Sequence, residues 1–240
     1  LAYERLHARR PAAQVGYAKH IRVFDPADPR HRLERWIALW ADRAFNELGL
    51  RAFAVGEPSS LLTLGGPAPE PTCLDFIGLN YYARERIQVD LRRRGLVHRV
   101  GQPDLPQAAE GWGELYPQGL SATLERLAEA RRPIYVTEFG LPDNDDHLRP
   151  RFIVEHVAAL HRALRAGVDV RGAYFWSLVD NFEWAEGWGA RFGLLALDPA
   201  TQQRSPRASA AVYRATCRAN GLPRSLVAEV APELVSSLYP

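Results

Sequence analysis

Methionine is absent from the 240 residues, and cysteine occurs only twice, at Cys73 and Cys217. Two cysteines far apart and without CxxC spacing exclude a zinc ribbon and a disulfide-stapled secreted fold. They read as buried thiols of a protein kept in a reducing compartment, the cytoplasm. No apolar run approaches the ~20 residues that a membrane-spanning helix needs. The opening "LAYERLHARR" has neither the apolar centre nor the cleavage site of a signal peptide and reads as the last turns of a helix. A chain that opens on Leu1 with no methionine is either read from an alternative start codon or belongs to a longer polypeptide. A dominant charge is missing too. Thirty Lys and Arg against 28 Asp and Glu leave a formal charge of +2, spread along the chain, so neither a nucleic-acid stripe nor an acidic tail is indicated. "LRRRG" at 91–95 reads as a solvated face. Phosphate cradles are lacking, since there is no GxGxxG or GxxxxGK[ST], and the Pro-rich "TLGGPAPEP" at 63–71 opens no helix. His7, His20, His147, His156 and His161 show no metal-ligand spacing, and His156 and His161, five apart, miss the i, i+4 face. No cofactor or metal is expected.

What is present is an apolar fraction of 47%, enough for an ordinary globular core, and an alternation of short β-type runs with helical periodicity. "AQVGYAKHI" at 13–21 precedes the helix-like "LERWIALWADRAFNEL". "CLDFIGLNYYA" at 73–83 is followed, after a polar stretch with Gly and Pro, by a helix near "LSATLERLAEARR". "PIYVTEFG" leads to a helix from Arg151 to Ala166, and "VRGAYFWSLVDN" at 170–181 to one from about Ser205 to Asn220. No linker divides these units and no tandem repeat underlies them. Four βα units make half of a (β/α)₈ barrel, in which functional residues gather at the C-terminal ends of the strands.

Those ends carry Asn80, Tyr81 and Tyr82, then Glu138, then Trp176 followed by Asp180, Asn181, Glu183 and Trp184. Indoles and phenols offer flat apolar faces to sugar C–H groups, and carboxylates accept from pairs of hydroxyls, so the set suits a carbohydrate. Taken singly, each has a plainer reading: Tyr82 as a core tyrosine, Trp176 as strand packing, Asp180 and Asn181 as braces of the following loop, Glu186 and Trp188 as rim residues.

Together, "LDFIGLNYY", "PIYVTEFG" and "VRGAYFWSLVDNFEWAEGWGARFGL" resemble, in order and spacing, three signature blocks of glycoside hydrolase family 1, the β-glucosidase family. The resemblance runs to about Asn220 and matches the second half of a family barrel. It implies an α/β (β/α)₈ TIM-barrel fold with this chain supplying strands 5 to 8 over residues 1–221, and 222–240 as an extension. It also implies retaining hydrolysis of unphosphorylated β-glycosides. Glu138 stands where the family has its nucleophile, and Tyr82 where a tyrosine approaches it. Asn80 matches a polar neighbour in that site, and Trp176 the aromatic floor under the sugar. Glu183 and Trp184 match the pair that grips the outer hydroxyls, and Phe192 lines the same pocket. The implied partner is a β-linked carbohydrate, with no nucleic acid and no membrane. A missing N-terminal half, or self-association, would complete the barrel.

Two departures stand out. Retaining glycosidases use two carboxyl groups ~5 Å apart, and the family's acid comes from an "NEP" block that this chain lacks. Glu47 in "FNELG" and Glu57 in "VGEPSS" do not follow a strand in the right place. The alternatives are therefore a non-catalytic sugar-binding half barrel or one chain of a split enzyme. The second departure is Phe139 where the family usually has Asn, which removes a polar neighbour beside the nucleophile.

Overall fold

The computed structural model describes residues 2–50, 74–90, 92 and 95–239; Cys73 and Glu57 lie outside them. Helix α1 (Ala2–Arg9) precedes β1 (Gly16–Pro26), which leads to α2 (Arg32–Asp42), a π-helical turn at Arg43–Glu47 and the short α3 (Leu48–Leu50). Strand β2 (Phe76–Val89) turns back as β3 (Val97–Val100), and α4 (Pro117–Ala128) follows. Then come β4 (Ile134–Phe139), α5 (Arg149–Arg165), β5 (Val170–Phe175), the small β6 (Leu195–Leu197) and β7 (Arg204–Pro206), and α6 (Ala208–Ala219). The main sheet has the order β1-β2-β4-β5, every pair parallel, with β3 antiparallel to β2. Four consecutive strand–helix units of a (β/α)₈ barrel are therefore in place, and among the described residues no strand pairs with the outer edge of β1 or of β5.

Side-chain alternation decides which face the helices cover. Ile77, Leu79 and Tyr81 of β2 and Ile134, Val136 and Phe139 of β4 are buried in one cluster with Leu120, Leu124 and Leu127 of α4 and Phe152, Ile153 and Ala159 of α5. Residues of the other set, among them Gly78, Asn80 and Tyr82, face the would-be barrel interior. The helices carry their own start and stop signals. His31 Nδ1 accepts the Glu34 amide at the head of α2, Pro117 opens α4, and Asn220 closes α6 in the left-handed region.

The order of strands and helices agrees with the alternation read from the sequence, but β1 and β2 run on to Pro26 and Val89, β5 stops at Phe175 so that Trp176 lies just past it, and two hairpins are added. β3 and the β6–β7 pair lie in stretches that looked like loop, because each is only three or four residues long. The segment after Gly221 is docked: α7 (Arg224–Val230) buries Val227, and Ala231 behind it is also buried, while Arg151 of α5 pairs with Glu233 at 3.1 Å. The expectation of buried thiols fails for Cys217, which is exposed on the outer side of α6. No helix among the described residues is long and apolar enough to cross a membrane.

Candidate active site

Glu138 reaches the interior face because β4 is out of step with β2. Leu79 pairs with Val136 but Asn80 pairs with Glu138, so Thr137 is the extra residue of a bulge. The bulge puts Asn80 and Glu138 side by side, and Thr137 Oγ1 donates to Asn80 Oδ1 at 2.6 Å. Tyr82, two residues along the same face of β2, donates its phenol hydrogen to Glu138 Oε2. Burial, that bond and the charges of Glu138 and Glu183 push the phenol well above its ordinary range. It therefore stays a donor, and the carboxylate has a fixed partner. Gly140 is required directly after this strand: a Cβ there would lie 2.0 Å from the Trp176 carbonyl oxygen.

Phe139 does not sit beside the carboxylate group, contrary to what its place next to Glu138 in sequence suggested. Alternation turns its ring to the helix side, where it is buried with Phe175 at 5.5 Å and Phe152 at 6.2 Å between ring centres. The polar support of Glu138 comes across the sheet from Tyr82, and position 139 belongs to the core.

The second carboxylate is held by the loop after β5. Glu183 is buried, and its Oε1 accepts both Trp176 Nε1 at 2.9 Å and Asn181 Nδ2 at 2.7 Å. Both donors act on one oxygen, which leaves the other to accept from an incoming hydroxyl. The loop is braced from behind by Asp180. Its carboxylate accepts Arg207 at 2.9 and 2.8 Å and the Gly193 amide at 2.8 Å. Burial pushes the Asp180 carboxyl up, but these donors outweigh it and hold it below the usual carboxylate range.

The structure thus brings together Tyr82, Glu138 and Phe192, whose ring is 6.0 Å from that of Tyr82, and joins Trp176 to Glu183. Asn80 is tied to the group through Thr137. Trp184 is not drawn in: it is 85% exposed. Glu47 is ruled out as a partner of Glu138, since it is bound by Arg126 of α4 at 3.0 Å.

Two residues were not expected in the site from the sequence. Trp112 packs against Phe192 at 5.1 Å and Tyr82 at 5.9 Å; its signal was an indole between two glycines in an otherwise polar loop. His20, level with Asn80 in the β1–β2 register, stands edge-on to Tyr82 at 5.5 Å. Burial, then the charges of Arg22 and Lys19, lower it to about 4, and its Nε2 is buried without a partner among the described residues. Tyr82, Trp112 and His20 open onto a cavity of about 390 Å³ over β1, β2 and β3. Among the described residues no cluster of His, Cys, Asp and Glu is placed to hold a metal ion.

The model of the family described as glycosyl hydrolase family 1 matches residues 71–222. A β-galactosidase of Sulfolobus acidocaldarius is 41% identical over 165 residues, 64% of this chain and 33% of that protein. β-Glucosidase A of Thermotoga maritima is 36% identical over 160 residues, 62% of this chain and 35% of that protein. Among solved structures, a β-glycosidase from Pyrococcus horikoshii superposes with a TM-score of 0.82 at 33% identity, covering 97% of this chain and 54% of that one. The chain therefore spans about a third of the length of these curated relatives and about half of the solved one.

Proposed function

The chain belongs to glycosyl hydrolase family 1, and from that premise we propose that its site is the nucleophile-bearing half of a retaining β-glycosidase. The observation that carries this is the Tyr82–Glu138 hydrogen bond at the mouth of a barrel sheet. Glu138 attacks the anomeric carbon, the bond to the leaving oxygen breaks, and a covalent glycosyl-enzyme forms that water later cleaves, with retention. The phenol of Tyr82 keeps the carboxylate aligned for that attack. Trp176 floors the sugar, and Glu183, positioned by Trp176 and Asn181, accepts from its outer hydroxyls, with Trp184 on the exposed rim beside them. A second anion, Glu183, beside the sugar disfavours a phosphorylated glycone and suits a neutral one.

Protonation of the leaving oxygen calls for a further carboxyl group, which we assign to polypeptide outside the described residues. Its carrier is the other half of the barrel. That half fits the open edge at β1 and the exposed Leu33, Trp36 and Trp40 on α2 beside it; an uncovered strand edge and an apolar helix stripe ask for a partner.

Incubation with a 2-fluoro glycoside bearing a dinitrophenolate leaving group tests the role of Glu138, because departure then needs no proton donor. A stable sugar adduct on the peptide containing "VTEFG", absent in Glu138→Gln, is expected. An adduct on any other carboxylate overturns the assignment.

A further inference from the structure

The cavity beside Tyr82 has a wall that the reaction just described leaves without a task. Strand β2 continues past the barrel sheet and turns back as β3, with Arg86 opposite Val100 and Ile87 opposite Arg99. Arg86 and Arg99 line the cavity together with Arg22. Among the described residues a single carboxylate, that of Glu85, balances these three. Arg22 Nη1 donates to Glu85 Oε1, and Arg99 Nη1 donates to the same oxygen at 3.0 Å. Arg86 donates to the Ala27 carbonyl at 2.6 Å, and among the described residues no carboxylate pairs with it. Arg84 adds nothing to the surplus, because Glu114 pairs with it. Glu186, which also lines the cavity, offsets one charge and not two.

The order β1-β2-β4-β5 fixes which part of a substrate meets this wall. Glu183 and Trp176 follow β5, Glu138 lies on β4, and the cavity spreads over β1, β2 and β3. A sugar held between Glu183 and Glu138 therefore sends its leaving group past Tyr82 and Trp112 into the cavity. Resting on the glycosidase reading, we propose that this wall selects leaving groups that carry a carboxylate. The substrate class is β-glycosides of aromatic acids, the ring lying against the Trp112 indole and the carboxylate meeting Arg86 and Arg99. Guanidinium groups match a carboxylate through paired N–H donors. Arg99 is 70% exposed, so its contact with the carboxylate is screened and modest, and Arg86, whose charge no acid among the described residues balances, supplies the larger share.

The test is equilibrium titration of the chain with 4-carboxyphenyl β-glucoside and with its uncharged isostere, 4-carbamoylphenyl β-glucoside. The carboxylate is expected to bind about 5–10-fold more tightly at low ionic strength, a ratio that falls toward one at high salt as the pair is screened. The ratio should also fall toward one in R86Q/R99Q. Because the salt arm uses the unaltered chain, a variant that misfolds does not remove the test. Equal binding of the two glucosides by the unaltered chain overturns this inference and leaves the glycosidase reading standing. Binding of neither overturns both.

Discussion

Tyr82 on β2 and Glu138 on β4 are 56 residues apart in sequence and joined by one hydrogen bond. The bond exists because the Thr137 bulge re-aims the end of β4 toward its neighbour. A phenol held above its ordinary range by burial and by two nearby carboxylates does not compete for the negative charge; it only donates.

Tyr82→Phe removes that donor while keeping the ring against Phe192 and Trp112. A hydrogen bond to a charged group is worth about 1.5–3 kcal/mol, so formation of the fluorosugar adduct should slow by roughly 10–100-fold, with the label still on Glu138. Stopped incubations followed by intact-mass measurement read the rate. An unchanged rate would show that the bond does not serve the attack.

Trp176→Phe keeps an aromatic floor but takes away one of two donors to Glu183 Oε1. Loss of one such bond to a carboxylate costs about 1.5–3 kcal/mol. The concentration of fluoroglycoside giving half-maximal labelling should rise by roughly 10–100-fold, while the limiting rate changes less. A fall in the limiting rate alone would place Trp176 with the reacting atoms and not with sugar binding.

The four strands and their helices were legible because alternation and helical periodicity are local signals that the tertiary fold does not contradict. Glu138 and the residues of the β5 loop could be picked out for the same reason, lying at or just past strand ends. Register was not legible. Nothing local says that Thr137 is the extra residue, or that Phe139 turns to the core while Glu138 turns to the interior. Trp112 was missed because its partners, Tyr82 and Phe192, are 30 and 80 positions away. The charge surplus at Arg86 and Arg99 was equally hidden, since it depends on which acids fold back to meet which arginines.

Asp180 and Arg207 form a buried bidentate pair, with side chains 6% and 9% exposed. Removing one partner strands the other charge, and such losses cost about 3–5 kcal/mol. Arg207→Ala should therefore destabilise the chain by that order in urea unfolding, and Asp180→Ala likewise. The double replacement should cost less than the sum of the two. Strict additivity would mean that the pair is not coupled.

Acid should weaken the fold through two histidines. His156 is fully buried, its Nδ1 hydrogen donating to the Phe152 carbonyl at 2.9 Å and its Nε2 without a partner among the described residues. Burial lowers it from 6.5 to about 3, and burial with neighbouring cations lowers His20 from 6.5 to about 4. Below 6.5 the unfolded chain binds protons that the folded chain refuses, so stability is full above that pH. It declines as pH falls toward the folded values, by up to about 1.4 kcal/mol per pH unit for each histidine. His156→Leu should flatten the slope of unfolding free energy between pH 6 and pH 4 by about one proton. An unaltered slope would show that His156 does not contribute to it.

The carboxylates of the site and of the cavity wall are already occupied. Glu138 takes Tyr82, Glu183 takes Trp176 and Asn181, and Glu85 and Glu114 on the cavity wall are bound by arginines. None is free to protonate a leaving oxygen, so hydrolysis by the chain alone should depend steeply on the acidity of the leaving group. Dinitrophenyl glucosides, which leave unaided, should be cleaved best, and alkyl glucosides should lose the ~10²–10⁴-fold that general acid catalysis contributes. Supplying the complementary half barrel as a separate polypeptide should restore alkyl glucosides far more than dinitrophenyl ones and so flatten the dependence. A series of aryl glucosides of graded acidity, assayed with and without that half, measures both slopes. Efficient cleavage of cellobiose by the chain alone would mean that one of its own carboxyl groups is the acid, with Glu186, on the cavity rim, the first to replace by Gln.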